Sequence, residues 1–372
     1  MKRYDYHTGE DEKLESMLKE MKLLEGVDPD NLKTDERIKT YPVHMPDDEF
    51  CFLHEAAIIS FKGRLFAAWY NCPKLELLAR SPIRFRTSDD KGMTWSEVRT
   101  VADDISGKIL FCPPVFHIEG GSLYMLINEM VGPDLIHSID LYEYNEAKED
   151  FEFVFSRPIA HKLNTNSIRL DNGKLILPGR IAEIDHFPNT PSILFSDSGS
   201  ILGDYRIVKI QKDGNMPDGS KLIHPEISPI VLGNEIYMFC RNDMRHVPLI
   251  YYSSDYGESW SEPMRIDIPF SNAKIYSGTM SNGKNYVIGN IHNRKSLAIF
   301  ISKPGKMIFD KAIMIKSGPD EELGCDEKSE WTYPCAYESD GNLYVIYTAV
   351  IKETKEEKRR GAVVSVIPVN II

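Results

Sequence analysis

The chain has 372 residues and a formal net charge of −12 at pH 7, with 42% apolar and 27% charged residues. That length suits one closed all-β architecture with an ample core. No run reaches the roughly 18 apolar residues of a membrane span, and the acidic balance argues against nucleic acid as a partner, because phosphate binding needs a basic field. Six scattered cysteines without CxxC spacing point to reduced thiols and away from zinc, and neither metal nor cofactor is expected. No apolar leader opens the chain, so the expectation is a cytoplasmic protein, or a secreted one if a leader has been trimmed.

In chain order, Leu14, Met17, Leu18, Met21 and Leu24 come first, at helical spacing in "KLESMLKEMKLLEG". They predict a short N-terminal helix that packs on the flank of the body or serves a homo-oligomer contact. Residues 1–45 read as this helical extension, and 46–372 as the body.

Six stretches of the body then share one grammar: "SFKGRLFAAWY", "IEGGSLYMLIN", "LDNGKLILPGR", "VLGNEIYMFCR", "MSNGKNYVIGN" and "ESDGNLYVIYT". Each is a polar glycine turn between two apolar strands, which is a β-hairpin signal. The turn glycines 63, 121, 173, 233, 283 and 341 are 58, 52, 60, 50 and 58 residues apart. Such an interval holds about four short strands, the content of one propeller blade. The predicted fold is therefore all-β: a six-bladed β-propeller of four-stranded antiparallel blades with a short N-terminal helix.

An octapeptide occurs twice, as "SDDKGMTW" from Ser88 to Trp95 and as "SSDYGESW" from Ser253 to Trp260; "FSDSGSIL" is a decayed copy. Asp and Ser fold back onto their own backbone in turns, Gly supplies positive φ, and Trp is a large anchor. Each copy reads as a turn pinned to its blade by a buried indole.

The octapeptide resembles the Asp-box of the sialidase (neuraminidase) superfamily, whose members are six-bladed propellers, and the resemblance extends over nearly the whole chain from about residue 50. Asp-boxes mark the fold, not the reaction. "HPEISPIVLGNEIYMFCRND" is similar to the segment carrying a catalytic Glu and a substrate-binding Arg, which implies those roles for Glu226 and Arg241. By the same resemblance "GNIHNRKSLAIFIS" supplies Arg294, and "SEWTYPCAYESDGNLYVIYT" supplies the nucleophile Tyr333. A tyrosine beside a glutamate can be deprotonated by it and attack an anomeric carbon. A neutral nucleophile suits an acidic sugar, whose carboxylate would repel an Asp or Glu, and arginines offer bidentate donors for that carboxylate. Plainer roles stand beside these: Glu226 as a salt-bridge residue, Tyr333 as a packed aromatic, Arg241 and Arg294 as partners of nearby acids.

The family pattern then breaks. "FLHEAAIIS" puts His54 where the first arginine belongs, and "YNCPKLELLARSP" puts Cys72 near the second and Glu76 near the general acid. Arg80, Arg84 and Arg180 are the remaining candidates for the vacant arginine positions, and Glu76 or Glu55 for the acid. His54 reads as a proton donor, a sugar-hydroxyl partner or a hydrogen-bonded histidine. The expected function is that of a sialidase-like glycoside hydrolase acting on a terminal acidic sugar of a glycan. The alternatives are a polysaccharide lyase acting on uronic acids and a non-catalytic carbohydrate-binding propeller.

Overall fold

A computed structural model gives the structure of the chain and describes residues 8–132, 135–182 and 189–372. All six turn glycines lie at φ between 62° and 86°, a region where a Cβ is strained. In blades one, two, four and six they close two-residue hairpins. Each hairpin opens an antiparallel sheet, and the six sheets are the blades of a six-bladed β-propeller.

Blade one comprises Phe52–Phe61, Arg64–Cys72, Ile83–Ser88 and Arg99–Ala102, and blade two Leu110–Glu119, Ser122–Met130, Ile136–Asn145 and Asp150–Arg157. Blade three comprises Ile168–Arg169, Leu175–Ala182, Asn189–Ser196 and Arg206–Lys209. Blade four is built from Ile227–Leu232, Glu235–Cys240, Leu249–Ser253 and Met264–Ile266, and blade five from Tyr276–Thr279, Lys284–Asn290, Ser296–Pro304 and Phe309–Ser317. Blade six takes three strands from the C-terminal stretch, Glu330–Ser339, Asn342–Glu353 and Lys358–Pro368, and its fourth, Lys39–His44, from the N-terminal stretch. The chain divides into two compact units. Met1–Asp35 with Ser167–Ser317 holds blades three to five, and Glu36–Asn166 with Gly318–Ile372 holds blades six, one and two.

Side-chain alternation explains why blade strands read as nearly continuous apolar runs. In Glu235–Cys240, Ile236, Met238 and Cys240 enter a cluster with Ile176, Ile193 and Phe195 of blade three. The intervening Phe239 enters a second cluster with Val287, Phe300 and Phe309 of blade five. Both faces are buried, so both sets are apolar.

The N-terminal helix is shorter than its apolar spacing predicts. It runs Gly9–Met17, capped by a reciprocal pair of bonds between Thr8 and Asp11, and Leu14 is buried among side chains of blades three and four. Met17 is exposed and Leu18 is already extended. Beyond it Glu20–Met21 pairs in parallel with Arg265–Ile266 at the outer edge of blade four, and Leu24 bridges to Phe309. The unpaired edge offers the backbone more hydrogen bonds than further helix would, and extension drops Leu23 into the core. Among the described residues no helix is long and apolar enough to cross a membrane.

The two octapeptides adopt one geometry. Ser88 Oγ donates to Asp90 Oδ1 at 2.8 Å and accepts from Gly92 N at 2.9 Å; Asp90 accepts from Thr94 N at 2.9 Å and Oγ1 at 2.6 Å; Trp95 Nε1 donates to Gly92 O at 3.1 Å. The copy at Ser253, Asp255, Gly257, Ser259 and Trp260 repeats every bond. The indoles are half-buried, not buried as expected, because each folds back onto its own turn, bonding the carbonyl of the turn glycine. Each copy also reaches the preceding blade: Gly92 lies against Val364 of blade six, and Gly257 against Phe195 of blade three. In the third copy Ser198 replaces the Asp, and Asp197 turns outward to Arg206 and Lys174.

Replacing Asp90 or Asp255 by Ala removes the acceptor of two hydroxyls and an amide in each case. Urea unfolding should register a loss of about 1–3 kcal/mol per site. Unchanged midpoints for both variants would mean that the turns do not staple the blades.

Candidate functional site

In the unit of blades three to five, Glu226 lies just before the first strand of blade four and Arg241 just after the second. Antiparallel pairing places them opposite each other, with Arg241 N donating to Glu226 O at 2.9 Å. Their side chains form a buried ion pair, Arg241 Nη1 to Glu226 Oε2 at 2.8 Å, and Arg241 Nε donates to Asn272 O at 2.8 Å. Arg294, from the loop after the second strand of blade five, donates Nη2 to the same carbonyl at 3.2 Å. Burial pushes the Glu226 carboxyl upward, but Arg241, Lys274 and Arg180 together hold it below the ordinary range, so it stays ionised. Lys274 and Arg180 are themselves buried. Arg180 sits near the end of the second strand of blade three, the place Arg241 takes in blade four. Behind this group Asp243 accepts from His224 Nδ1 at 2.7 Å. Burial raises the Asp243 carboxyl, yet the His224 bond and the Arg241 charge bring it down to about 2.

In the other unit the first strands of blades one, two and six each carry a two-against-one bulge, at Glu55–Ala56, Cys112–Pro113 and Tyr333–Pro334. A bulge re-aims its side chain. Glu55 and Tyr333 take positive φ, 46° and 58°, unusual for residues with a Cβ. The Tyr333 ring packs on His54 with centroids 3.9 Å apart, and His54 Nδ1 is 3.1 Å from Thr348 Oγ1. Glu55 accepts from the Cys112 thiol at 3.7 Å. Tyr70 OH donates to Glu76 Oε1 at 3.0 Å; Glu76 is in the loop after the second strand of blade one and is exposed. Burial drives the Tyr70 hydroxyl and the Cys112 thiol well up and the Cys72 thiol to about 12. Neither cysteine is a thiolate at neutral pH, and a thiol nucleophile is set aside.

The structure thus groups Glu226, Arg241 and Arg180, with Arg294 joined through Asn272, in one unit, and His54 with Tyr333 in the other. Arg84 stands apart: its guanidinium covers the Phe50 ring at 5.0 Å and lies 3.4 Å from Asn71 Oδ1. Arg80 is spent on Asp103 and Glu49. Sequence reasoning missed Lys274, Tyr70, Thr348 and Cys112. A proline following a polar or aromatic residue in a first strand, as in Cys112–Pro113 and Tyr333–Pro334, is the signal that marks two of the bulges. Among the described residues no group of three or more His, Cys, Asp or Glu side chains is placed to hold a metal ion.

Residues 55–345 match the family model of the BNR repeat-like domain. No curated protein matches the sequence. Among solved structures, a Dyadobacter fermentans protein of unknown function superposes with a TM-score of 0.68 at 11% identity, covering 90% of this chain and 100% of its own. The Hadza microbial sialidase Hz136 gives 0.69 at 12%, covering 90% and 69%. Trypanosoma rangeli sialidase in complex with sialic acid gives 0.64 at 13%, covering 90% and 60%. At such identities the likeness is one of fold.

Asp243 titrates at about 2 in the folded chain, against about 3.9 for an unperturbed aspartate. Its stabilisation is therefore present above about pH 4 and lost as the pH falls toward 2. Asp243→Asn should unfold at lower urea at pH 7 and lose less stability between pH 4 and 2 than the parent. Parallel stability curves would dismiss Asp243 as a contributor.

Proposed function

Because the chain belongs to the BNR repeat-like domain family, we propose that it is a sialidase-like glycoside hydrolase that removes a terminal acidic sugar from a glycan. The observation that carries this is the buried cationic group of Arg180, Arg241 and Lys274 around a single carboxylate, Glu226. Buried guanidinium and ammonium groups are costly unless an anion meets them, and an acidic sugar supplies one.

In this mechanism Tyr333 is the nucleophile. A carboxylate base takes the phenolic proton, the phenolate oxygen bonds to the anomeric carbon, and the bond to the leaving oxygen breaks as Glu76 protonates it. Water then cleaves the glycosyl–tyrosine bond, returning a proton to Glu76. Support for Tyr333 comes from its bulge, which turns the side chain out of the strand's ordinary alternation, and from the contact with His54, which fixes its ring. Exposure leaves Glu76 within reach of a leaving group, and the bond from Tyr70 fixes the orientation of its carboxyl.

Aryl glycosides of acidic and neutral sugars test the proposal. Tyr333→Phe should abolish turnover and leave ligand affinity nearly intact, because only the nucleophile is lost. Arg294→Met should lower kcat/KM on acidic sugars by about 2–3 kcal/mol, the scale of a charge-assisted hydrogen bond, and leave neutral ones unchanged. Glu76→Gln should impair substrates with poor leaving groups far more than activated aryl glycosides. Full activity of Tyr333→Phe, or release of an unsaturated uronide absorbing in the ultraviolet, would reject the hydrolase; the second outcome would favour a lyase.

A further inference from the structure

One donor in the group around Glu226 makes no hydrogen bond among the described residues. Arg180 is 6% exposed, and among the described residues its buried Nη1 has no hydrogen-bond partner. An orphaned donor on a buried guanidinium is costly, and a chain that keeps one has a use for it. Its neighbours deepen the imbalance, since Arg180, Arg241 and Lys274 all act on one carboxylate. Asp243, the other acid that senses Arg241, is taken up by His224 Nδ1 and by the amides of Ile223 and His224.

The donors are also poorly arranged for a flat carboxylate. A carboxylate is best held by a guanidinium presenting two parallel N–H groups. Arg241 has Nη1 on Glu226 and Nε on Asn272 O, and Arg294 has Nη2 on that same carbonyl. Of these three arginines, among the described residues only Arg180 has a buried guanidinium nitrogen with no bond, and Lys274 is a point charge without a fork. Cations converging from three blades, without a matched fork, suit an anion whose oxygens are spread in three dimensions and which carries two charges.

We propose that Arg180, Lys274 and Arg241 form a subsite for a tetrahedral dianionic or near-dianionic group, a sulfate or phosphate on the substrate sugar, in preference to a carboxylate. The proposal rests on reading this group as the substrate's anion subsite, and it replaces the acid expected on a sialidase substrate.

Titration calorimetry on the full chain at constant ionic strength tests it, with galactose 6-sulfate, galactose 6-phosphate, inorganic sulfate and inorganic phosphate against galacturonate and N-acetylneuraminate. One of the tetrahedral anions should bind at least about tenfold tighter than either carboxylate sugar, and the tighter of the two ester arms identifies the group. Arg180→Met should cost that ligand about tenfold or more, and Arg180→Lys should recover part of the loss. Added ligand should raise the Tm of the parent and leave that of Arg180→Met nearly unchanged; a purely structural arginine would leave the ligand-induced rise intact. Equal or tighter binding of the carboxylate sugars, unchanged binding in Arg180→Met, or a full ligand-induced rise in Tm in that variant would each overturn the proposal. Hydrolysis of a carboxylate sugar that ignores Arg180→Met would leave the glycosidase standing and remove this subsite. Tight sulfate or phosphate binding without turnover would do the reverse.

Discussion

Antiparallel pairing between strands adjacent in sequence is the interaction on which the rest of this chain depends. A strand buried on both faces has no water for its amides and carbonyls, so its neighbour must satisfy every one. That demand holds the blades in register, and it makes the interruptions informative. Where the first strands of blades one, two and six skip a partner, the extra residues are Glu55, Cys112 and Tyr333. The flanking ladders hold Glu55 and Tyr333 at positive φ, a backbone state that persists only when its surroundings over-determine it. Regular pairing thus supplies the rigidity that lets a few residues depart from it.

The two units handle buried polarity by different means. Around Glu226 the side chains are ionic, and cations outnumber the carboxylate they surround. Around Tyr333 the contacts are a ring on a ring, an imidazole beside a hydroxyl, a thiol on a carboxylate and a phenol on a carboxylate. The first kind suits fixed attraction of charge, because guanidinium groups never titrate in the working range. The second suits movement of protons, because each contact pairs groups that can give one up or take one.

What was legible in the sequence was local. Glycine turns and the repeated octapeptide act over a few residues, so the six hairpins and both staples could be read directly. Helical spacing at Leu14 to Leu24 misled beyond Met17, because the edge of blade four, some 240 residues away, competes for the same backbone. The strand Lys39–His44 was invisible for the same reason: its partner Lys358–Pro368 lies at the other end of the chain. Glu226, Arg241, Arg294 and Tyr333 came from family resemblance, while Lys274 and Thr348 resemble nothing and become visible only when folding sets them beside Glu226 and His54. The size of the octapeptide tryptophans suggests core, yet each indole N–H bonds the carbonyl of its own turn glycine, and the ring stays half-buried at that turn.

The pairing of Lys39–His44 with Lys358–Pro368 has a consequence for how the chain is made. Lys39–His44 must wait for Lys358–Pro368 before its ladder can form, and Thr40 bonds Ser365 across 325 residues of chain. Until then blade six does not exist as a sheet, and an apolar hairpin leaves the machinery with a bare edge, the kind of surface that recruits other chains. Long-range closure of this sort is slow. The interval before Lys358–Pro368 is complete is therefore one in which blade six stays open along one side.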